Sequence, residues 1–268
     1  MFAGLAYAGG GNRCYWQGGF YETVAPRIGL KPRRVVGASA GAFAMLYTAL
    51  GLGPTVRELV REACLGRTSE VDWPAFRRGG RLFPVGELYE LMLAQLFTAD
   101  RLAALQARAD FLVAVSRPPR FWPLPVAAAL GIGAYQLEKR LRRPVHPTAG
   151  RRLGFVPDLV RIADCATPAE LVAALMASAS VPPFMPGGLV AGRAALDGGL
   201  VDSAPAWALA ELEQQGEPTL VLLTRPFAQV PEVANRPYTG PSETIPVSQF
   251  TIRNWDGIRF AYELGIRD

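Results

Sequence analysis

The sequence predicts an α/β fold: a three-layer α/β/α sandwich around a mainly parallel central sheet, in one domain covering residues 1–268. Three observations carry this. The first forty-odd residues read strand, glycine loop, helix, strand, tight turn, helix, which is the opening of a βαβ unit and implies parallel strands. The same alternation returns after Gly150. Half of the 268 residues are apolar and 19% are charged, so the chain can bury one large core.

Each element follows in order. Leu5 to Ala8 is an apolar strand, Gly9 to Arg13 a glycine loop, and a helix then runs to near Pro26. Val35-Val36 is the second strand and a helix starts at Ala40. Val56, Leu59, Val60 and Ala63, then Val85, Leu88, Met92 and Leu96, recur at helical spacing and predict two core-facing stripes. Phe111 to Val115 is a buried strand. A helix over Ala169 to Ala177, another over Pro205 to Gln214 and the strand Thr219 to Thr224 complete the alternation. Pro231, Pro237, Pro241 and Pro246 predict a tail that wraps the surface, closed by a short helix near Trp255 to Leu264.

The segment 121–143 stands apart. Two aromatics and two prolines lead into the nearly unbroken apolar run Val126 to Ala134, followed by Lys139, Arg140, Arg142 and Arg143. Such a segment is either a buried helix with a solvated basic end or a cap that touches the headgroup zone of an anionic membrane. The net charge of +5 favours anionic partners, acidic phospholipid or nucleic acid alike. Cys14, Cys64 and Cys165 are odd in number and lack C-x-x-C pairing, so neither a disulfide framework nor a zinc site is expected. A reducing, cytoplasmic compartment fits, with peripheral membrane contact through 121–143 as the open alternative. The N-terminal strand lacks the basic region and cleavage site of a signal peptide, and no window reaches the roughly 20 apolar residues of a spanning helix.

Three motifs carry chemistry. Gly37-Ala38-Ser39-Ala40-Gly41 is a G-x-S-x-G sequence after a strand and before a helix, the context of a nucleophile elbow. Small neighbours let the turn close, and the serine oxygen sits at the positive end of a helix dipole. The alternative is an ordinary strand-to-helix turn with Ser39 as N-cap. Gly9-Gly10-Gly11-Asn12-Arg13 exposes consecutive N–H groups at a helix start and so makes an anion cradle. It lacks the G-K-[ST] ending of a P-loop, and the last glycine of a dinucleotide fingerprint falls at Cys14, so phosphate binding here is the weaker reading. In an acyl hydrolase the same amides form an oxyanion hole. Asp197, followed by Gly198 and Gly199, ends an apolar strand and can project into a cleft, although Asp-Gly-Gly is also a common turn. The single histidine, His146, lies between two prolines and in the wrong chain order for an α/β-hydrolase triad, so the partner of Ser39 should be a carboxylate.

Together with Ala177-Ser178-Ala179-Ser180-Val181-Pro182-Pro183-Phe184, these motifs resemble, in order and spacing, the patatin-like phospholipase family from about residue 5 to residue 205. The resemblance implies a patatin-like α/β sandwich and hydrolysis of acyl lipid esters, with Ser39 as nucleophile and Asp197 as base and acid. It also implies an oxyanion hole from Gly10, Gly11 and Asn12 with Arg13 beside it, no metal or cofactor, and no nucleic-acid partner. In that frame Gly37 and Gly41 shape the elbow, and Gly198 and Gly199 support the aspartate. Cys14 departs from the glycine common at its position, and Tyr15-Trp16 from smaller residues. Two rival functions share the fold: an esterase or thioesterase for short soluble substrates, and a non-catalytic lipid- or anion-binding domain. No calcium loop of the EF-hand kind is present, and the sequence sets no oligomeric state.

Overall fold

Strand β1 (Gly4–Tyr7) runs through the middle of the sheet in the computed structural model, which describes residues 2–268. It pairs in parallel with β2 (Arg34–Ala38) on one side and β7 (Thr219–Leu222) on the other. Beyond them lie β3 (Asp110–Arg117), parallel to β2, and β8 (Tyr238–Thr239), parallel to β7. On β3 the sheet becomes mixed: β4 (Val156–Arg161) and β6 (Arg193–Asp197) run antiparallel to it, and β5 (Gly188–Val190) runs antiparallel to β6. The expected mainly parallel sheet is therefore present, with an antiparallel extension.

The helices are α1 (Tyr15–Ile28), α2 (Ala40–Ala49), α3 (Gly53–Cys64), α4 (Trp73–Arg77), α5 (Val85–Leu96) and α6 (Ala99–Gln106). After them come α7 (Leu124–Leu141), α8 (Ala149–Arg152), α9 (Pro168–Ser178), α10 (Ala210–Gln214) and α11 (Trp255–Arg267). Side chains alternate along each strand, and the two buried clusters divide by that alternation. Leu5, Tyr7, Val35, Phe111 and Val113 join the larger cluster with α1, α2, α3, α5 and α11. Ala6, Ala8, Val36, Ala38, Leu112 and Ala114 join the second, with Leu209 and Leu212. Both faces of the parallel strands are covered, which is why they read as continuous apolar runs rather than alternating ones.

Three sequence expectations are adjusted. Helix α1 carries Pro26 in its last turn and ends instead at Gly29, whose positive φ of 61° supplies the left-handed stop. The segment 121–143 holds α7, which is neither wholly buried nor wholly outward. Its small residues Ala127, Ala128 and Gly131 pack inward, Gly131 against the Phe155 ring, while Leu130, Leu137 and Leu141 stay exposed. The proline-rich tail does wrap the outside, but it adds β8 to the sheet and its last stretch turns in over the ends of β1 and β2. Helix α11 crosses α1 with backbones nearly touching: a Cβ on Gly19 would lie 2.1 Å from the Tyr262 carbonyl oxygen, and one on Gly265 2.1 Å from that of Trp16. No helix among the described residues is long and apolar enough to cross a membrane.

Candidate active site at the carboxyl ends of the strands

Because β1 and β2 are parallel and in register, with Tyr7 opposite Gly37, the glycine loop and the Ser39 turn leave the sheet side by side. Ligand sites in open α/β sheets form at these carboxyl ends. Ser39 joins β2 to α2 with φ 55° and ψ −136°, outside the regions that L-residues ordinarily occupy. The turn closes only over glycine. A Cβ at Gly37 would lie 2.5 Å from the Ala42 Cα, and one at Gly41 2.5 Å from the Ala8 carbonyl oxygen. The Ser39 N–H donates to Ser178 Oγ at 2.8 Å, and the Ser178 hydroxyl donates onward to the Ala114 carbonyl at 2.6 Å.

Register also delivers Asp197. On β3, Ala114 faces Ala38, the last residue of β2, while the next residue, Val115, faces Asp197, the last of β6. The ends of β2 and β6 therefore abut on one flank of β3, and Ser39 and Asp197, 158 positions apart in the chain, line one cavity. The Asp197 N–H donates to the Ser180 carbonyl at 3.0 Å, and its carboxylate accepts the Gly199 N–H at 2.6 Å. Gly198 packs so closely that a Cβ there would lie 2.3 Å from the Ala114 carbonyl oxygen. Burial pushes the Asp197 carboxyl up to about 6, opposed by the Ser39 hydroxyl and the Gly199 N–H, which favour the charged form. The Ala-Ser-x-Ser block thus has a physical role that its sequence did not disclose: Ser178 holds the backbone of Ser39, and Ser180 that of Asp197.

The glycine loop divides the expected donors. The N–H groups of Gly10 and Gly11 have no acceptor among the described residues. The Asn12 N–H, by contrast, donates to the Gln249 carbonyl at 3.1 Å, so the donor expected there is already engaged. The Asn12 side chain fastens the same stretch, donating to the carbonyls of Ser248 at 3.2 Å and Thr251 at 2.7 Å. Gly11, with φ 58°, admits this contact, since a Cβ would meet the Gln249 carbonyl oxygen at 2.2 Å. Arg13 turns back to donate through Nε to the Gly10 carbonyl at 3.3 Å. Buried Gln17 of α1 steadies the loop by donating to the Ala8 and Leu222 carbonyls, both at 2.9 Å.

Ser39 also lines a second cavity. Tyr15, Phe43, Tyr47, Tyr89, Met185 and Phe250 give it apolar walls. The serine thus stands where a cleft that holds a carboxylate meets an apolar chamber. Among the contributors not foreseen from the sequence are Ile132 and Tyr135 of α7, and Gln249 and Phe250 of the tail. His146 lies in neither cavity; its Nδ1 is 2.9 Å from Asp202 Oδ1 and its Nε2 2.9 Å from the Tyr238 hydroxyl.

In sequence comparisons no curated protein matches the chain. A family model described as patatin-like phospholipase matches residues 5–210, a span that holds the glycine loop, the Ser39 turn and Asp197. With that match over most of its length, and with a mostly parallel sheet flanked by helices, the chain belongs to the patatin-like phospholipase family of lipid acyl hydrolases.

Proposed function

We propose that the protein hydrolyses carboxylic esters of acyl lipids with a Ser39–Asp197 dyad and an acyl-enzyme intermediate. The observation that carries the reading is the pairing of a backbone-strained serine with a buried carboxylate held near pKa 6, in one cavity beside two unengaged amides. Asp197 takes the hydroxyl proton as Ser39 Oγ attacks the ester carbonyl, and the oxyanion is held by the Gly10 and Gly11 N–H groups. The protonated Asp197 gives its proton to the departing alcohol, leaving an acyl-serine. Water, deprotonated by the same carboxylate, attacks the acyl-serine; the fatty acid leaves and the proton returns to Ser39. An aspartate at its unperturbed pKa of about 3.9 is a weak base, and raising it toward the working pH improves proton transfer. The apolar chamber receives the acyl chain, the cleft with Asp197 the alcohol side, and α7 caps that cleft.

A fluorophosphonate serine probe tests this. Wild type and His146→Ala should label, Ser39→Ala should not, and Asp197→Asn should label at least a hundredfold more slowly. Labelling of folded Ser39→Ala, or normal ester turnover in Asp197→Asn, would remove the dyad.

A further inference from the structure

A third pocket adjoins the dyad cavity and shares Gly9, Tyr135, Ser203 and Gln249 with it as a common wall. Arg13 from the glycine loop, Lys139 from α7 and Arg225 from the stretch after β7 converge there from three separate parts of the chain. The lining contains these three cations and no carboxylate. None of the three takes part in an ion pair among the described residues. All are partly withdrawn from water. Burial, with Arg13 and Arg225 adding repulsion, pulls Lys139 down to about 8, and burial likewise lowers Arg13 and Arg225.

Unpaired cations held together in partial burial raise the energy of the empty fold, and an anion seated among them removes both the repulsion and the lost solvation. Guanidinium forks match the oxygens of a phosphate, and an ammonium adds a point charge. The position beside the alcohol side of the dyad cavity fits a group carried by the substrate itself. We propose that Arg13, Lys139 and Arg225 form a phosphate-group subsite, so that the preferred substrates are acyl lipids with a net-anionic phosphate headgroup. A choline beyond the phosphate would bring a fourth cation to the cluster, so zwitterionic lipids are the poorer substrates. The substrate assignment rests on the dyad reading; the anion site does not.

Two measurements test the site separately from the chemistry. Soluble short-chain esters avoid membrane effects: butyryl glycerophosphate, butyryl glycerophosphocholine and monobutyrin. The first should exceed monobutyrin in kcat/KM by about tenfold or more, with the choline ester between them. Lys139→Gln and Arg225→Gln should each shrink that preference by about tenfold, the scale of one charge-assisted contact, and Lys139→Arg should restore it. In the Ser39→Ala protein, inorganic phosphate should raise the melting temperature above a chloride control of equal ionic strength, and adding Lys139→Gln should abolish the rise. Stabilisation by phosphate without any ester preference would overturn the headgroup assignment and leave a site for free phosphate. Neither stabilisation nor preference would overturn the subsite altogether. Phosphate stabilisation that depends on Lys139, in a protein hydrolysing no ester, would fail the dyad and keep the site.

Discussion

Ser39 occupies backbone space that costs about 1–3 kcal/mol for a residue with a Cβ. Glycine adopts the same φ and ψ without that strain. Ser39→Gly and Ser39→Ala should both be inactive, yet the glycine variant should be more stable than the alanine one by about 1 kcal/mol in chemical denaturation. Equal stabilities would mean that the turn is not strained. Asp197 makes a parallel case. Its carboxyl binds a proton below about 6 in the folded protein and below 3.8 when unfolded. Its contribution to stability is therefore complete below 3.8 and is lost as pH rises toward and through 6. Turnover runs the other way, because the base must be charged: kcat/KM should fall about tenfold per pH unit below 6. Asp197→Asn, inactive, should be more stable than wild type at neutral pH by up to about 3 kcal/mol, the cost of ionising at pH 7 a carboxyl held near 6 rather than 3.8. A destabilised, folded Asp197→Asn would refute that account of burial.

At the scale of elements, the site is a matter of which strand ends meet. The Gly37 to Gly41 turn and the Gly9 to Arg13 loop were legible in the sequence because each is local: strand, turn chemistry and helix lie within a dozen residues. Asp197 was legible as a residue, but its arrival beside Ser39 depends on the pairing of β6 with β3, and the two pairs that make it, Asp197 with Val115 and Leu196 with Ser116, leave no periodic mark. Strand β4 was missed for a related reason. Its Val-Pro-Asp-Leu-Val-Arg run is mostly half-exposed, and besides the partly buried Leu159 and Val160 it is held by Arg117, which donates to Asp158 at 2.8 Å. Helix α6 was missed although Thr98 caps it. Nothing local marked Ser248 to Thr251 as the cover of the glycine loop, since its partner Asn12 is 236 to 239 positions away. That cover is testable. Asn12→Ala removes two side-chain bonds and should destabilise the local closed state by about 1–2 kcal/mol, read as faster hydrogen exchange at residues 248–251. Unchanged exchange would mean that other contacts hold the segment.

For the whole molecule, the family match ends at residue 210, whereas the sheet does not. Strand β7 lies between β1 and β8, so removing residues 211–268 would strip one side of the central strand and leave Leu5 and Tyr7 without Leu220 and Leu222 beside them. Overpacking or exposing a core of this kind exceeds the margin of a typical domain. The fragment 1–210 should show no cooperative melting transition and should not label with the serine probe; a cooperative, labelled fragment would prove the tail dispensable. The α1–α11 crossing gives this a further meaning. Two glycines, Gly19 and Gly265, 246 positions apart, let those helices touch. The Trp16 indole also donates to the Asp268 carboxylate at 2.7 Å. The family match and the mechanics of the fold thus have different borders: the match stops well before the last structural rivet. A survey of inactivating mutations should find a dense group near residues 257–268, far from the reacting atoms, whose only fault is that they unfasten the end of the chain from its beginning.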